Sequence, residues 1–233
     1  MSGVKVGVAS ADSSELTSVA VRDGVTVSAR LLVPAAARAC YVFAPGAGAG
    51  MDHGSMRAVA TGLAELGVAT LRYQFPYRER GARRPDPPPL CHATVRAAVA
   101  HAARLLPEVP LVAGGRSFGG RMTSQAQALE PLAGVRGLAF LGFPLHPAGE
   151  PSEQRAEHLA KVSIPMLFLQ GTRDALADRA LMEAAVGRLG ARATLSLLEG
   201  ADHSFHVPAR SGRTEPEVLA EVLQRLVGWI GAL

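Results

Sequence analysis

Two short runs, Leu138-Ala139-Phe140-Leu141 and Met166-Leu167-Phe168-Leu169, are apolar at every position. A strand with one wet face alternates apolar and polar residues. A strand with no polar position is covered on both faces, which is the environment at the centre of a parallel sheet. Around these runs the chain alternates strand-length apolar segments with helix-period segments. Strands are expected at Tyr41–Ala44, Val68–Phe75, Pro110–Ala113, Val135–Gly142, Pro165–Gln170 and Ala193–Leu198, and helices at Met56–Leu66, Leu90–Leu106, Phe118–Glu130, Ala175–Leu189 and Glu215–Ile230. Strand and helix in turn predict an α/β fold, a mostly parallel central sheet wound by helices on both faces. The N-terminal part departs from this rhythm. Leu16–Arg22 and Val25–Val33 flank Asp23-Gly24, which signals an antiparallel hairpin.

Length and composition narrow the class further. With 233 residues, 48% of them apolar and 19% charged, the chain is expected to form one domain, 1–233, with a core of its own. Two cysteines, Cys40 and Cys91, are too few for a disulfide framework or a zinc site, and no His pair has the spacing of a metal helix. No cofactor or metal is therefore expected. No run of 18 apolar residues exists to span a membrane. The start, Met1-Ser2-Gly3-Val4-Lys5, lacks the charged and apolar pattern of a signal peptide, so a cytoplasmic location is expected. The net charge of +4 comes almost wholly from arginine. Five arginines, Arg72, Arg78, Arg80, Arg83 and Arg84, crowd into thirteen residues. They suit either an anionic partner or a solvated loop paired with Glu79 and Asp86. With three tyrosines, one tryptophan and no aromatic interleaving, nucleic acid is not an expected partner.

In wound sheets, ligands bind beyond the C-terminal ends of the strands, so chemistry is sought there. Gly114-Gly115-Arg116-Ser117-Phe118-Gly119-Gly120 follows one strand and opens a helix. It contains G-x-S-x-G in the strand–turn–helix context that this motif requires. The glycines leave room for a tight turn that lifts the Ser117 hydroxyl clear of the sheet, while the following helix aims its N-terminal N–H groups at the same spot. A serine hydroxyl needs a base, and the base an orienting acid. Asp174 directly follows the strand ending at Gln170, with Asp178 one helical turn further on. No carboxylate follows strand Val135–Gly142, where Phe143-Pro144-Leu145-His146-Pro147 stands. The last strand runs into Asp202-His203-Ser204-Phe205-His206, offering His203 and His206 as bases. His53, His92, His101, His146 and His158 read as surface or core residues. The Gly46–Gly50 loop is not a dinucleotide fingerprint, because position 51 is Met51, and no P-loop G-K-[ST] exists. The N–H of Phe118, just after the serine, is one expected oxyanion donor.

The order Ser117, Asp174, His203 is that of the α/β hydrolases, which this chain resembles from about residue 15 to its end. It is especially similar to small hydrolases related to dienelactone hydrolase, through Ala44-Pro45-Gly46-Ala47-Gly48-Ala49-Gly50, G-G-x-S-x-G-G, Q-G-T-x-D and D-H-x-F. Dienelactone hydrolases proper use a cysteine where Ser117 stands, so their lactone chemistry is not implied. The resemblance selects His203 over His206 and implies the N–H of Ala47 as second oxyanion donor. The family's His-Gly before that donor is Pro45-Gly46 here. The implied activity is cleavage of small-molecule carboxylic esters through an acyl-enzyme. A non-catalytic scaffold of hydrolase fold, acyl transfer to another acceptor and peptide cleavage are the alternatives, and monomer and homodimer both stay open. Only Leu145–Ile164 stands where relatives insert a lid, with one short helix around Glu153–Ala160, so an open site without a cap is expected. The proline-stiffened Arg72–Pro89 stretch, with Tyr73, Phe75 and Tyr77, is expected to rim that site and to shape a pocket for acidic or polar acyl groups through Arg72 and Arg78.

Overall fold

A computed structural model describes residues 14–233. Met1–Lys5, on which the expectation about a leader rests, lie outside the described residues. Eight strands of the described residues form one sheet: β1 (Glu15–Arg22), β2 (Val25–Leu32), β3 (Ala39–Ala44), β4 (Val68–Tyr73), β5 (Leu111–Arg116), β6 (Val135–Leu141), β7 (Met166–Gly171) and β8 (Ala193–Leu198). Their order across the sheet is β1-β2-β4-β3-β5-β6-β7-β8. β1 and β2 pair antiparallel around Asp23 and Gly24, both at positive φ (50° and 74°), as the twist of a two-residue hairpin demands. β2 meets β4 antiparallel, and every pairing from β4 through β3 to β8 is parallel.

Among the described residues six α-helices surround the sheet: α1 (Gly54–Glu65), α2 (Pro76–Glu79), α3 (Pro88–Leu105), α4 (Phe118–Leu129), α5 (Arg179–Gly187) and α6 (Glu215–Ile230). The fully apolar runs lie in β6 and β7, paired inside the sheet's parallel part. Each face carries its own core. Cys40, Val42 and Ala44 of β3 pack with Cys91 and Val95 of α3, Met122 of α4 and Met182 of α5. Ala39, Tyr41 and Phe43 face the other way, toward Met56 and Leu63 of α1 and Val218, Val222 and Leu226 of α6. No helix among the described residues is long and apolar enough to cross a membrane.

Three details differ from the sequence reading. β5 runs on through Gly114 and Gly115 to Arg116, so the glycine motif is strand until the residue before Ser117. α5 starts at Arg179 rather than Ala175, because Asp178 caps it by accepting the Leu181 N–H at 3.0 Å. A short helix, α2, interrupts the arginine-rich stretch, begun by Pro76 at its first position. The segment where a lid would sit holds a single 3₁₀ helix, Gln154–Lys161, and among the described residues no large cap covers the strand ends.

Candidate active site

Ser117 sits between β5 and α4 with φ +49° and ψ −117°, a strained turn conformation for a residue with a side chain. Two flanking glycines make the turn possible. A Cβ on Gly115 would lie 2.5 Å from the Ala44 oxygen, and one on Gly119 would lie 2.5 Å from the Pro45 oxygen. The elbow is thus pressed against the end of β3, and only hydrogen fits at those two positions. The Ser117 hydroxyl caps nothing in its own helix. It instead lies 2.8 Å from His203 Nε2.

His203 Nδ1 lies 2.7 Å from Asp174 Oδ2. With the proton on Nδ1, the neutral ring donates to the carboxylate and leaves Nε2 to accept the Ser117 hydroxyl proton. Asp174 is deeply seated: its side chain is 0% exposed, against 22% for His203. Its other oxygen, Oδ1, accepts the Leu176 N–H at 2.7 Å, and Gln170 Nε2 donates to Oδ2. A buried carboxylate with three donors is held in one orientation. Ser117, Asp174 and His203, scattered over 86 positions of sequence, are therefore brought into one hydrogen-bonded row. The two rivals lie elsewhere. Asp178 is spent as the α5 cap. His206 is exposed and faces Asp202 and Glu215 at 4.0 and 3.7 Å.

The Phe118 N–H is among the unpaired donors at the start of α4. Neither it nor the Ala47 N–H has an acceptor among the described residues. The Gly46 Cβ position lies 3.8 Å from Ser117 Cβ, so the glycine loop abuts the serine, and Tyr77 pins that loop by donating its hydroxyl to the Ala47 oxygen at 2.8 Å. Tyr77 also packs edge-on against the Phe118 ring. The arginine stretch divides. Arg72 is fully buried in β4 and donates to the Met51 oxygen at 3.0 Å, so it is not part of any rim. A guanidinium on a central strand has to reach a carbonyl inside the protein, and the sequence pattern hid this. Arg80 pairs with Asp86, whereas Glu79 accepts the Ser28 N–H instead of pairing with an arginine. Arg78 stays half-buried beside Tyr77.

Neither cysteine is placed to replace the serine. Both are buried, and burial pushes the thiols of Cys40 and Cys91 up to about 12, which keeps them protonated at neutral pH. Gln170 is a contributor that sequence reasoning did not assign, and Tyr77, expected only at the rim, pins the glycine loop. Gln170 stood inside Q-G-T-x-D, but its task depends on a partner strand.

Residues 37–231 match the family model described as the alpha/beta hydrolase domain. The chain belongs to that family. Solved structures share its fold over nearly the whole length. A dienelactone hydrolase from Anabaena variabilis is 23% identical and superposes with a TM-score of 0.75, covering 94% of this chain and 97% of that one. An α/β serine hydrolase without lid from Xanthomonas campestris is 20% identical, with a TM-score of 0.71 over 91% and 92%. Est1E from Butyrivibrio proteoclasticus, solved with ferulic acid bound, is 18% identical, with a TM-score of 0.72 over 92% and 99%. The chain is an α/β hydrolase that shares its fold with a dienelactone hydrolase and a lidless serine hydrolase, and no large cap stands over the strand ends among the described residues.

Proposed function

We propose that this α/β hydrolase acts as one domain and cleaves carboxylic esters through an acyl-enzyme on Ser117. The observation that carries the reading is the unbroken row Ser117 Oγ, His203 Nε2 and Nδ1, Asp174 Oδ2, at 2.8 and 2.7 Å, with both ends of the imidazole engaged. In the reaction His203 takes the Ser117 proton as Oγ bonds to the ester carbonyl carbon. Asp174 keeps the ring in the required tautomer and stabilises the imidazolium. The carbonyl oxygen, now an oxyanion, is held by the N–H groups of Phe118 and Ala47, each such donor being worth about 2.7–4 kcal/mol in comparable sites. His203 then protonates the departing alkoxide. Water, deprotonated by the same imidazole, releases the acid and restores Ser117.

The test is an ester panel of varied chain length and charge on wild type and Ser117→Ala, together with labelling by a fluorophosphonate. Wild type should hydrolyse and label at Ser117, and the variant should lose about 10⁴-fold or more of the rate. Activity persisting in Ser117→Ala, or wild type that resists the probe, would sink the reading.

The acyl side of the site favours a negative charge. The Arg121 guanidinium carbon lies 5.9 Å from the centroid of the Phe118 ring. Neither Arg121 nor Arg78 has an ion pair among the described residues, and the Nε of each is buried without a hydrogen-bond partner. Burial, then the charge of Arg155, pulls the Arg121 guanidinium below its ordinary range. Cations crowded without a counter-charge are relieved by an anion. Half-esters of dicarboxylic acids should therefore outrun neutral esters of equal length. Arg121→Met should shrink that ratio about tenfold or more, which matches one charge-assisted hydrogen bond.

A further inference from the structure

Arg116 closes β5 immediately before Ser117, and its side chain crosses to the histidine loop. Nη2 donates to the Ser204 carbonyl at 3.0 Å, over 88 positions of sequence, and the guanidinium carbon stands 5.9 Å from the centroid of the Phe205 ring. The residue before the serine thus holds the residue after the histidine.

The loop it grips is a stiff unit. Asp202 Oδ1 accepts the N–H of Ser204 at 2.7 Å and of His206 at 3.0 Å. The Asp202 N–H donates to the His206 oxygen at 2.9 Å, and the Phe205 N–H donates to the Asp202 oxygen at 3.0 Å. Phe205 is held at φ +66°, a backbone state that a bulky residue keeps only when its surroundings fix it. A turn so closed on itself moves as one body, and His203 moves with it. Its own bonds to Ser117 and Asp174 run through a single rotatable side chain, whereas Arg116 fixes the backbone directly. Burial draws the Arg116 guanidinium down from its ordinary range, and Asp202 partly restores it.

Resting on the triad reading above, we propose that Arg116 is a positioning residue that fixes the histidine turn against the nucleophile elbow and so sets the Ser117–His203 separation. Arginine suits the task better than lysine, since one guanidinium both stands over the Phe205 ring and presents a directed N–H to the carbonyl. A displacement of about 1 Å in such a pair can cost about 100-fold in rate.

The experiment compares wild type, Arg116→Met and Arg116→Lys. Arg116→Met should lower kcat by about 10- to 100-fold with KM changed less than about threefold, and should slow fluorophosphonate labelling by the same factor. Arg116→Lys should recover part of the loss, and guanidinium ion at tens of millimolar should recover part of the Arg116→Met loss. A purely structural role would instead lower the melting temperature and respond to neither rescue. Wild-type kcat in Arg116→Met, with wild type active and labelled at Ser117, overturns the clamp and leaves the triad standing. A crystal structure of Arg116→Met, or of Arg116→Lys if the first does not fold, should show the His203 Nε2–Ser117 Oγ distance lengthened. An unchanged distance overturns the proposal whatever the activity.

Discussion

Gln170 carries two tasks on one amide. Its Nε2 donates to Asp174 Oδ2, while its Oε1 accepts the Phe143 N–H at 2.9 Å, tying the end of β6 to the acid loop. The side chain is 1% exposed, so neither partner finds water if it is lost. Gln170→Leu should therefore orphan a buried N–H and cost about 1–3 kcal/mol, measured by urea unfolding. A variant as stable as wild type would show that the amide bridge is idle. The serine, aspartate and histidine were legible in sequence because their chemistry restricts the residue types and the fold restricts their order. Gln170 was not, since its value lies in touching a backbone group 27 residues away. Arg72 misled for a related reason. Its charge spoke for solvent, and only its place in β4 buried it against the Met51 carbonyl.

Among the elements, helix starts turned on single capping residues. The apolar periodicity of α5 extends back to Ala175, yet the helix begins after Asp178, which satisfies the Leu181 N–H. α6 shows the full form of this device: Thr214 accepts the Glu217 N–H, and Glu217 accepts the Thr214 N–H. Two otherwise unpaired donors are met at one stroke. Thr214→Ala should cost about 1 kcal/mol in chemical unfolding, and Thr214→Ser should restore most of it. Equal stability of all three proteins would mean that packing of Val218, Val222 and Leu226 against the sheet alone holds the first turn in place. Strand positions were more legible than helix ends, because burial on both faces leaves an apolar signature that a cap does not.

Across the molecule, acid should weaken the fold through His158. This residue joins the 3₁₀ segment to α4 by a 2.7 Å bond between its Nε2 and Ser124 Oγ. Burial, then the charges of Arg121 and His92, pushes its pKa down from the ordinary 6.5 to about 4. The unfolded chain binds a proton near 6.5 that the folded one refuses until about 4. Stability is therefore unaffected by this group above 6.5 and falls as pH drops through that window. His92 is shifted the same way, by burial first, and adds to the trend. His158→Gln, which keeps a partner for Ser124, should show a shallower loss of melting temperature between pH 7 and pH 4.5. Parallel curves for the two proteins would contradict the assignment.

Sequence by itself determined the class of fold and nominated Ser117 and Asp174, while His203 was preferred to His206 through the family resemblance. The fold and the two nominations follow from local rules: wholly apolar strands need cover on both sides, and a glycine-flanked serine on a strand–helix turn needs its base and acid at later strand ends. What only the tertiary structure decided were the pairings between distant segments: Arg116 on the Ser204 carbonyl, Tyr77 on the Ala47 carbonyl, Gln170 between Phe143 and Asp174, and the burial of Arg72. Most of these bonds end on a backbone group, and every residue has one, so no pattern of side chains announces them. They come into being when parallel strands far apart in sequence are set side by side.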